Sequence, residues 1–490
     1  MKRIKNLIAF DCGNSSYRLV LGRYDGETIK MEVIAQESNE MVKIKDYYYW
    51  DILKIYQFLI NNLKKVVQKV DQIDSIGICT WGVDFALFDR QGNMLNNPLS
   101  YRNEIGEIYL EKLSKEVQED LFFKTGILSN RINSVYMISA IKELMPEIYS
   151  ATDKILMMPD ILNYLLTGVM MNEPSELSTS QLFNAIHKAI DIEVCKQFNI
   201  SSDLFSEIGE HGNKVGNLLS SIKEQLKIDY DIPVICVPSH DTASAVAAIP
   251  AVEDEFLFIS SGTWALIGAE IAQPIVDKEV MANSFTNEVG AYNKITLLKN
   301  SAGMFILERI KEEYDFATNK ISTWKDIIDL SLGIERLDLM NVNDRRFFNP
   351  PNMAEEIMNY LYETGQYQGR FKWELIIKTI LESMACNYAI TINNLEKVIG
   401  RKFDTVYVVG GGSQNQVINQ LTANRTGKKI IIGSKESTCL GNLGTQISYF
   451  DYSINLKRIR TVINNSTIRK EYIQEWDDKK ILEKYSRLLK

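Results

Sequence analysis

Two stretches of this chain share one construction. An apolar strand runs into a short polar turn containing glycine and leaves as a second apolar strand. The first is LIAF, then Asp11-Cys12-Gly13-Asn14-Ser15-Ser16, then residues 17–24; the second is FLFISSGTWALIGAE, residues 256–270. Both are rich in β-branched and aromatic residues outside the turn, which is strand composition. Recurrence of the device in the two halves points to internal duplication. Such a turn offers bare N–H groups and small hydroxyls to phosphate oxygens. Gly262 is expected either at positive φ or where backbones approach closely.

A chain of 490 residues is too long for a single core, so two large domains are expected. The order strand, strand, helix (DILKIYQFLINNLKKVVQKV), strand (SIGICTWGVDFALFD) over the first hundred residues or so reads as βαβ. From about 105 to 230 the pattern turns helical, broken by Pro146, Pro159, Gly168 and Pro174, as in an inserted helical subdomain. Pro250 and the acidic run after it mark the expected domain boundary. The second half repeats the logic: its hairpin, helices between about 302 and 335, and a long helix over about 372–399. The strand TVYVV then opens onto Gly410-Gly411-Gly412-Ser413 and a helix with Ser413 as expected N-cap and Gly427 as its stop. The expected division is therefore 1–250, 251–450 and a charged, mostly helical tail over 451–490.

Composition excludes several classes. An apolar content of 45% and a net charge of −8 describe an ordinary globular chain with no basic groove for nucleic acid. MKRIKNLIAFDCG reads as a first strand and not as a secretory signal. No apolar stretch approaches a membrane span. Six scattered cysteines without a C-x-x-C pair fit a reducing cytoplasm, and three histidines give little material for a zinc site.

No G-x-x-x-x-G-K-[ST] occurs, and Gly410–Asn415 lacks the third glycine of a dinucleotide fingerprint. What remains there is a strand, a glycine turn and a helix start, open to an anionic or flat ligand. Asp11, where a strand meets its turn, either shapes the turn or faces a magnesium ion, which takes one or two carboxylates alongside phosphate oxygens. Asp241, in PSHDTASA, either caps a helix, as Ser239 equally would, or accepts the proton of a sugar hydroxyl. Trp81 and Asp84 in TWGVDF are either core residues or a stacking face and a hydroxyl acceptor for a sugar.

Taken together, ICTWGVDFALFDRQGN, PLSYRN, LMMPD, YLLTG, PSHDTASAV, FISSGTWALIG, SFTNEVG, LLKNSAGMFILER, VVGGGSQNQVINQLTANRTGK and ESTCLGNLGTQ resemble the FGGY carbohydrate kinases. They stand in family order over roughly residues 7–446. The resemblance implies an α/β fold of two duplicated actin-like ATPase (ribonuclease H-like) domains, a mixed sheet in each, with an interdomain cleft. The sugar would fall to the N-terminal domain and the nucleotide to the C-terminal one.

It implies transfer of the ATP γ-phosphoryl group, with Mg2+, to the 1-hydroxyl of a ketose such as L-rhamnulose. L-Fuculose and xylulose are the alternatives, as is a non-catalytic member that binds sugar or nucleotide. By position in the motifs, Asp241 would be the proton acceptor, and Gly82, His240 and Thr242 would line the sugar site. Asn14, Ser15, Ser16, Tyr17, Arg18, Thr263, Asn300, Glu308 and Gly412 would hold ATP, and Asp11 would approach the metal. The implied state is a monomer or homodimer without nucleic-acid or membrane partners. Three positions depart from the pattern. Cys79 stands where aspartate is usual, removing a charged acceptor beside the expected sugar pocket. Tyr17 stands for a glycine, bringing bulk to the phosphate turn, and Glu308 for an amide.

Overall fold

Alternation along residues 16–24 puts Tyr17, Leu19 and Leu21 on one face of a strand, and that face is where the core of the first half forms. In a computed structural model describing residues 3–489, Lys5–Cys12 pairs antiparallel with Ser16–Tyr24 and parallel with Ser75–Thr80. Met1 and Lys2, which head the expected first strand, and Lys490, which ends the expected tail, lie outside the described residues. The full sheet is mixed, in the order Lys214–Asn217, Pro233–Ile235, Ser75–Thr80, Lys5–Cys12, Ser16–Tyr24, Ile29–Ser38. One face is covered by the helix Ile52–Val67, whose Ile52, Ile55, Leu59, Leu63 and Val66 recur at helical spacing and are buried. Asp51 caps it by accepting from the Lys54 N–H.

The opposite face is covered from far along the chain. Leu440, Leu443 and Ile447 of the helix Ser437–Phe450, with Ile459, Val462 and Ile463 of Leu456–Ser466, pack on Leu7, Ala9 and Val20. The chain accordingly divides into two discontinuous units, one of residues 1–254, 270–297 and 436–468, the other of 255–269, 298–435 and 469–490. The first passage from one unit to the other, between residues 254 and 255, lies close to the boundary expected after residue 250, while residues 270–297 and 436–468 join the first unit from beyond it. A sheet buried on both faces needs two apolar covers, and this one draws the second from the C-terminal helices.

The region 105–230 is mostly helical, with Lys115–Thr125, Ser134–Leu144 and Met158–Thr167 the longer pieces. The second unit is built on Phe256–Ser261, parallel to Thr405–Val409, which is parallel to Lys429–Ile432 and so to an antiparallel edge, Lys470–Tyr472. Contrary to the expectation that no apolar stretch approaches a membrane span, its helix Trp373–Ile399 is long and apolar enough to cross one, and 89% of its most apolar window is buried inside the protein. That is the signature of a core helix.

Candidate active site

In the first unit, the antiparallel register sets Asp11 opposite Arg18. Arg18 Nε and Nη2 donate to Asp11 Oδ2 at 2.9 and 2.7 Å, and Arg18 Nη1 pairs with Glu436. The intervening turn is closed by Gly13 N–H donating to Ser16 C=O at 2.9 Å, and a Cβ on Gly13 would lie 3.2 Å from that oxygen. Asn39 clamps it from outside, through Nδ2 to Gly13 C=O and N–H to Ser15 C=O, both at 2.9 Å. Asn14 is fixed by Nδ2 donating to the Tyr101 hydroxyl at 2.8 Å. Tyr17 does not enter this turn. Its ring is in the core against Phe10 and Phe58, because strand alternation sends it inward, and only its backbone remains at the turn.

Asp241 is the first residue of the short helix Asp241–Ala247. Neither it nor Ser239 caps that helix: the N-cap position is His240, without a side-chain bond, and Ser239 Oγ turns back to Val237 C=O at 2.9 Å. A carboxylate in the first turn is favoured by the helix dipole. Asp241 Oδ1 accepts from Thr242 Oγ1 at 3.1 Å and lies 3.6 Å from His240 Nε2, and the side chain keeps 38% of its surface exposed. Burial, with the charge of Asp11 adding, raises its pKa, while His240 and Thr242 pull the other way. A raised pKa makes a carboxylate a better proton acceptor near neutral pH.

His240 sits between two acids, with Nδ1 3.3 Å from Glu288 Oε2, within ion-pair range but off the line of a hydrogen bond. Burial alone would push the imidazole down, but Glu288 first and Asp241 next outweigh it and lift its pKa to about 9. His240 is thus a cation at neutral pH, beside a base that must stay ionised. Since its pKa is raised above the ordinary 6.5, the stability this contributes is complete below about pH 6.5 and is lost as pH climbs through about 9. Unfolding free energy, followed by thermal or denaturant melts, is expected to fall over that window by on the order of 3 kcal/mol at most. In Glu288→Gln most of that fall should disappear; an unchanged profile would remove Glu288 from this role.

The expected single strand over 75–89 is broken. Ser75–Thr80 ends and Phe85–Phe88 begins around Val83, a β-branched residue at φ 73°. That strained conformation is held by Thr179 Oγ1, which accepts from Val83 N–H at 2.9 Å, and by Ser134 Oγ, which donates to Val83 C=O at 2.6 Å. Gly82 lets the segments approach closely here: a Cβ would stand 3.0 Å from Thr179 Cγ2 and 3.3 Å from His240 Nε2, so these side chains would have to give way by a few tenths of an ångström. Gly82, His240, Thr242 and Asp241 are therefore brought together.

Trp81 and Asp84 are not presented to a ligand. Asp84 is 1% exposed, and its Oδ2 accepts from Trp50 Nε1 at 2.6 Å and Trp81 Nε1 at 2.8 Å. Burial lifts its pKa to about 7 against those donors. The trio braces the wall from inside, as a buried carboxylate with converging donors should. Cys79 is likewise no pocket residue. Fully buried under the Asp241 helix, its sulfur accepts from Asn442 Nδ2 at 3.1 Å, donates to Pro238 C=O at 3.4 Å and touches Ser244 Oγ at 3.2 Å.

In the second unit, Gly262 is neither at positive φ nor crowded. The close approach falls on Gly303, where a Cβ would meet the backbone of Thr263, Trp264 and Ala265 within 2.7 Å. Met304 N–H and Phe305 N–H then donate to Gly262 and Thr263 C=O at 2.9 and 3.2 Å, stitching the hairpin turn to the start of the helix carrying Glu308. Gly410, at φ 84°, and Gly412 pack on Ser261, a Cβ being 2.6 Å from its carbonyl and 2.1 Å from its hydroxyl. Gly411 faces open space. The helix cap there is Asn415, which accepts from Val417 and Ile418 N–H, and not Ser413; Gly427 ends the helix at φ 67° as expected. Thr263, Gly412 and Glu308 thus gather around Ser261–Met304, and Asn300 is exposed on the strand leading to Gly303.

These arrangements fit the implied ligands. Gly411 leaves backbone free of Cβ bulk, as a nucleotide cradle needs. Among the described residues there is no cluster of three His, Cys, Asp or Glu that could hold a metal.

Residues 6–248 match the model of the FGGY carbohydrate kinase N-terminal domain and residues 257–448 that of its C-terminal domain, so the chain belongs to the FGGY family of carbohydrate kinases. It is a phosphotransferase whose substrates are ATP and a sugar. Rhamnulokinase of Oceanobacillus iheyensis is 35% identical over 464 residues, covering 94% of this chain and 96% of its own. Rhamnulokinase of Bacteroides thetaiotaomicron is 34% identical over 482 residues, covering 96% and 97%. In fold, the chain is similar to gluconate kinase from Lactobacillus acidophilus (TM-score 0.81, 15% identity, 99% and 96% covered). It is also similar to Plasmodium falciparum glycerol kinase with ADP (TM-score 0.80, 17% identity, 99% and 97% covered).

Proposed function

We propose that this kinase phosphorylates the 1-hydroxyl of L-rhamnulose, giving L-rhamnulose 1-phosphate, with Asp241 as the proton acceptor. The observation that carries the reading is the grouping of Asp241, His240, Thr242 and Gly82 in a chain whose relatives at 32–35% identity over at least 94% of its length are rhamnulokinases. Asp241 takes the proton as the sugar oxygen becomes nucleophilic, and cationic His240 keeps Asp241 ionised in a neighbourhood that otherwise raises its pKa. Gly82 and Thr242 border the sugar.

In the first unit, Asn14, Ser15, Ser16, the Tyr17 backbone and Arg18 are assigned to phosphate, Arg18 exchanging part of its Asp11 pairing for phosphate oxygens. In the second, Thr263, Asn300, Glu308 and Gly412 are assigned to the nucleotide. Burial and Glu312 raise the Glu308 pKa, which moderates a carboxyl where an amide is usual. Mg2+ bound with ATP would neutralise phosphate charge, and Asp11 is the residue that would face it. All six cysteines are buried free thiols, which supports a cytoplasmic setting.

Cys79, the departure beside the expected sugar pocket that would favour another ketose, lies buried beneath the Asp241 helix and so lends the alternatives little support. Comparison of kcat/KM for L-rhamnulose, L-fuculose and xylulose tests the choice. L-rhamnulose is expected to lead by about tenfold or more. A lead by another ketose would overturn the sugar assignment while leaving kinase activity in place.

A further inference from the structure

The base helix is held from behind by a buried polar chain that reaches the site at the backbone N–H of His240. Tyr292 N–H donates to His211 Nδ1 at 2.8 Å, so the opposite ring nitrogen, Nε2, carries the proton that goes to Glu173 Oε1 at 2.5 Å. Ser175 Oγ donates to Glu173 Oε2 at 2.6 Å and in turn accepts the backbone N–H of His240 at 3.1 Å. Glu173 and Ser175 are 0% exposed and the His211 side chain 2%.

Tyr292 adopts φ 50° and ψ 43°, a conformation bulky residues avoid, and this aims its N–H at the imidazole. Its hydroxyl is anchored on Ser448 at 2.8 Å. Burial works against a charge on Glu173, but hydrogen bonds from His211 and Ser175 outweigh it and hold its pKa below the ordinary carboxylate range. Glu173 also caps its own helix by accepting from Ser175 and Glu176 N–H.

We propose that His211, Glu173 and Ser175 are positioning residues for the phosphoryl-transfer step: through the Ser175 hydroxyl they fix the His240 N–H, and with it the place of the Asp241 carboxylate. The inference rests on Asp241 being the base. His240 has no side-chain cap to hold the helix start, and Ser239 turns its hydroxyl away, so among the described residues Ser175 is the side chain that accepts the His240 N–H. A base displaced by a fraction of an ångström loses rate without losing ligand affinity.

The test is a double-mutant cycle. Ser175→Ala is expected to lower kcat about tenfold with KM for ATP unchanged in the native background, and to change kcat less than about twofold in Asp241→Asn, where no base remains to be placed. Glu173→Gln, nearly isosteric, is run through the same cycle so that a poorly folding Ser175 variant does not decide the matter. Equal fold-changes in both backgrounds, or full turnover in both variants, overturn the inference alone. Full turnover in Asp241→Asn by itself overturns the base assignment and this inference with it.

Discussion

Asp241→Asn is expected to lower kcat by on the order of 10²-fold or more while ATP still binds. The amide keeps the shape of the carboxylate and its bond from Thr242, so the helix start should be unchanged, but it cannot take a proton. No neighbouring group replaces it. His240 is held as a cation by Glu288, and Asp11 is committed on Oδ2 to Arg18. Steady-state turnover with ATP affinity measured in parallel by calorimetry checks this. Turnover at the native rate would remove Asp241 from the base role, and loss of ATP binding alongside kcat would mean that the substitution had disturbed more than a proton acceptor.

Gly441→Ala is expected to cost about 3 kcal/mol of stability and to reduce kcat/KM at least tenfold. A Cβ on Gly441 would lie 1.8 Å from the Ser244 carbonyl oxygen and 2.7 Å from its carbon. Both are backbone atoms of the helix that begins with Asp241, so no rotamer change relieves the clash. That oxygen also accepts from Ala248 N–H at 3.2 Å, so pushing it away loosens the helix that carries the base. The short side chains of Asp-Thr-Ala-Ser-Ala-Val-Ala are what lets the two helices cross at backbone distance. Gly333→Ala, where no atom lies within 4 Å of the added Cβ, is the control and should change stability by less than about 0.5 kcal/mol. Equal melting temperatures for the two variants would contradict the crossing.

Much of this was legible in the sequence because it depends on local pattern. The two hairpins, the long helix over 373–399 and the Gly427 stop all sit in short motifs with direct physical meaning, whereas the grouping of Gly82 with His240 and Asp241 was expected only from the family resemblance of two distant motifs. Tyr17 shows a reading that strand alternation already held: its period places it with Leu19 and Leu21 and not in the turn. Trp81 and Asp84 went the other way because their third partner, Trp50, comes from a separate segment. Glu288, His211, Glu173 and Gly441 left no local signal, since each matters only through a contact that the tertiary register creates. The discontinuous first unit was hidden for the same reason. Nothing local says that helices after residue 436 cover a sheet begun at residue 5.

The most direct test of the central claim is a coupled ADP-release assay with L-rhamnulose at saturating ATP and magnesium, run on the native chain beside Asp241→Asn. ADP release that depends on the sugar, matches phosphosugar formed mole for mole and collapses in the variant is the predicted result. ADP formed at the same rate with and without sugar, or none at all, would contradict it.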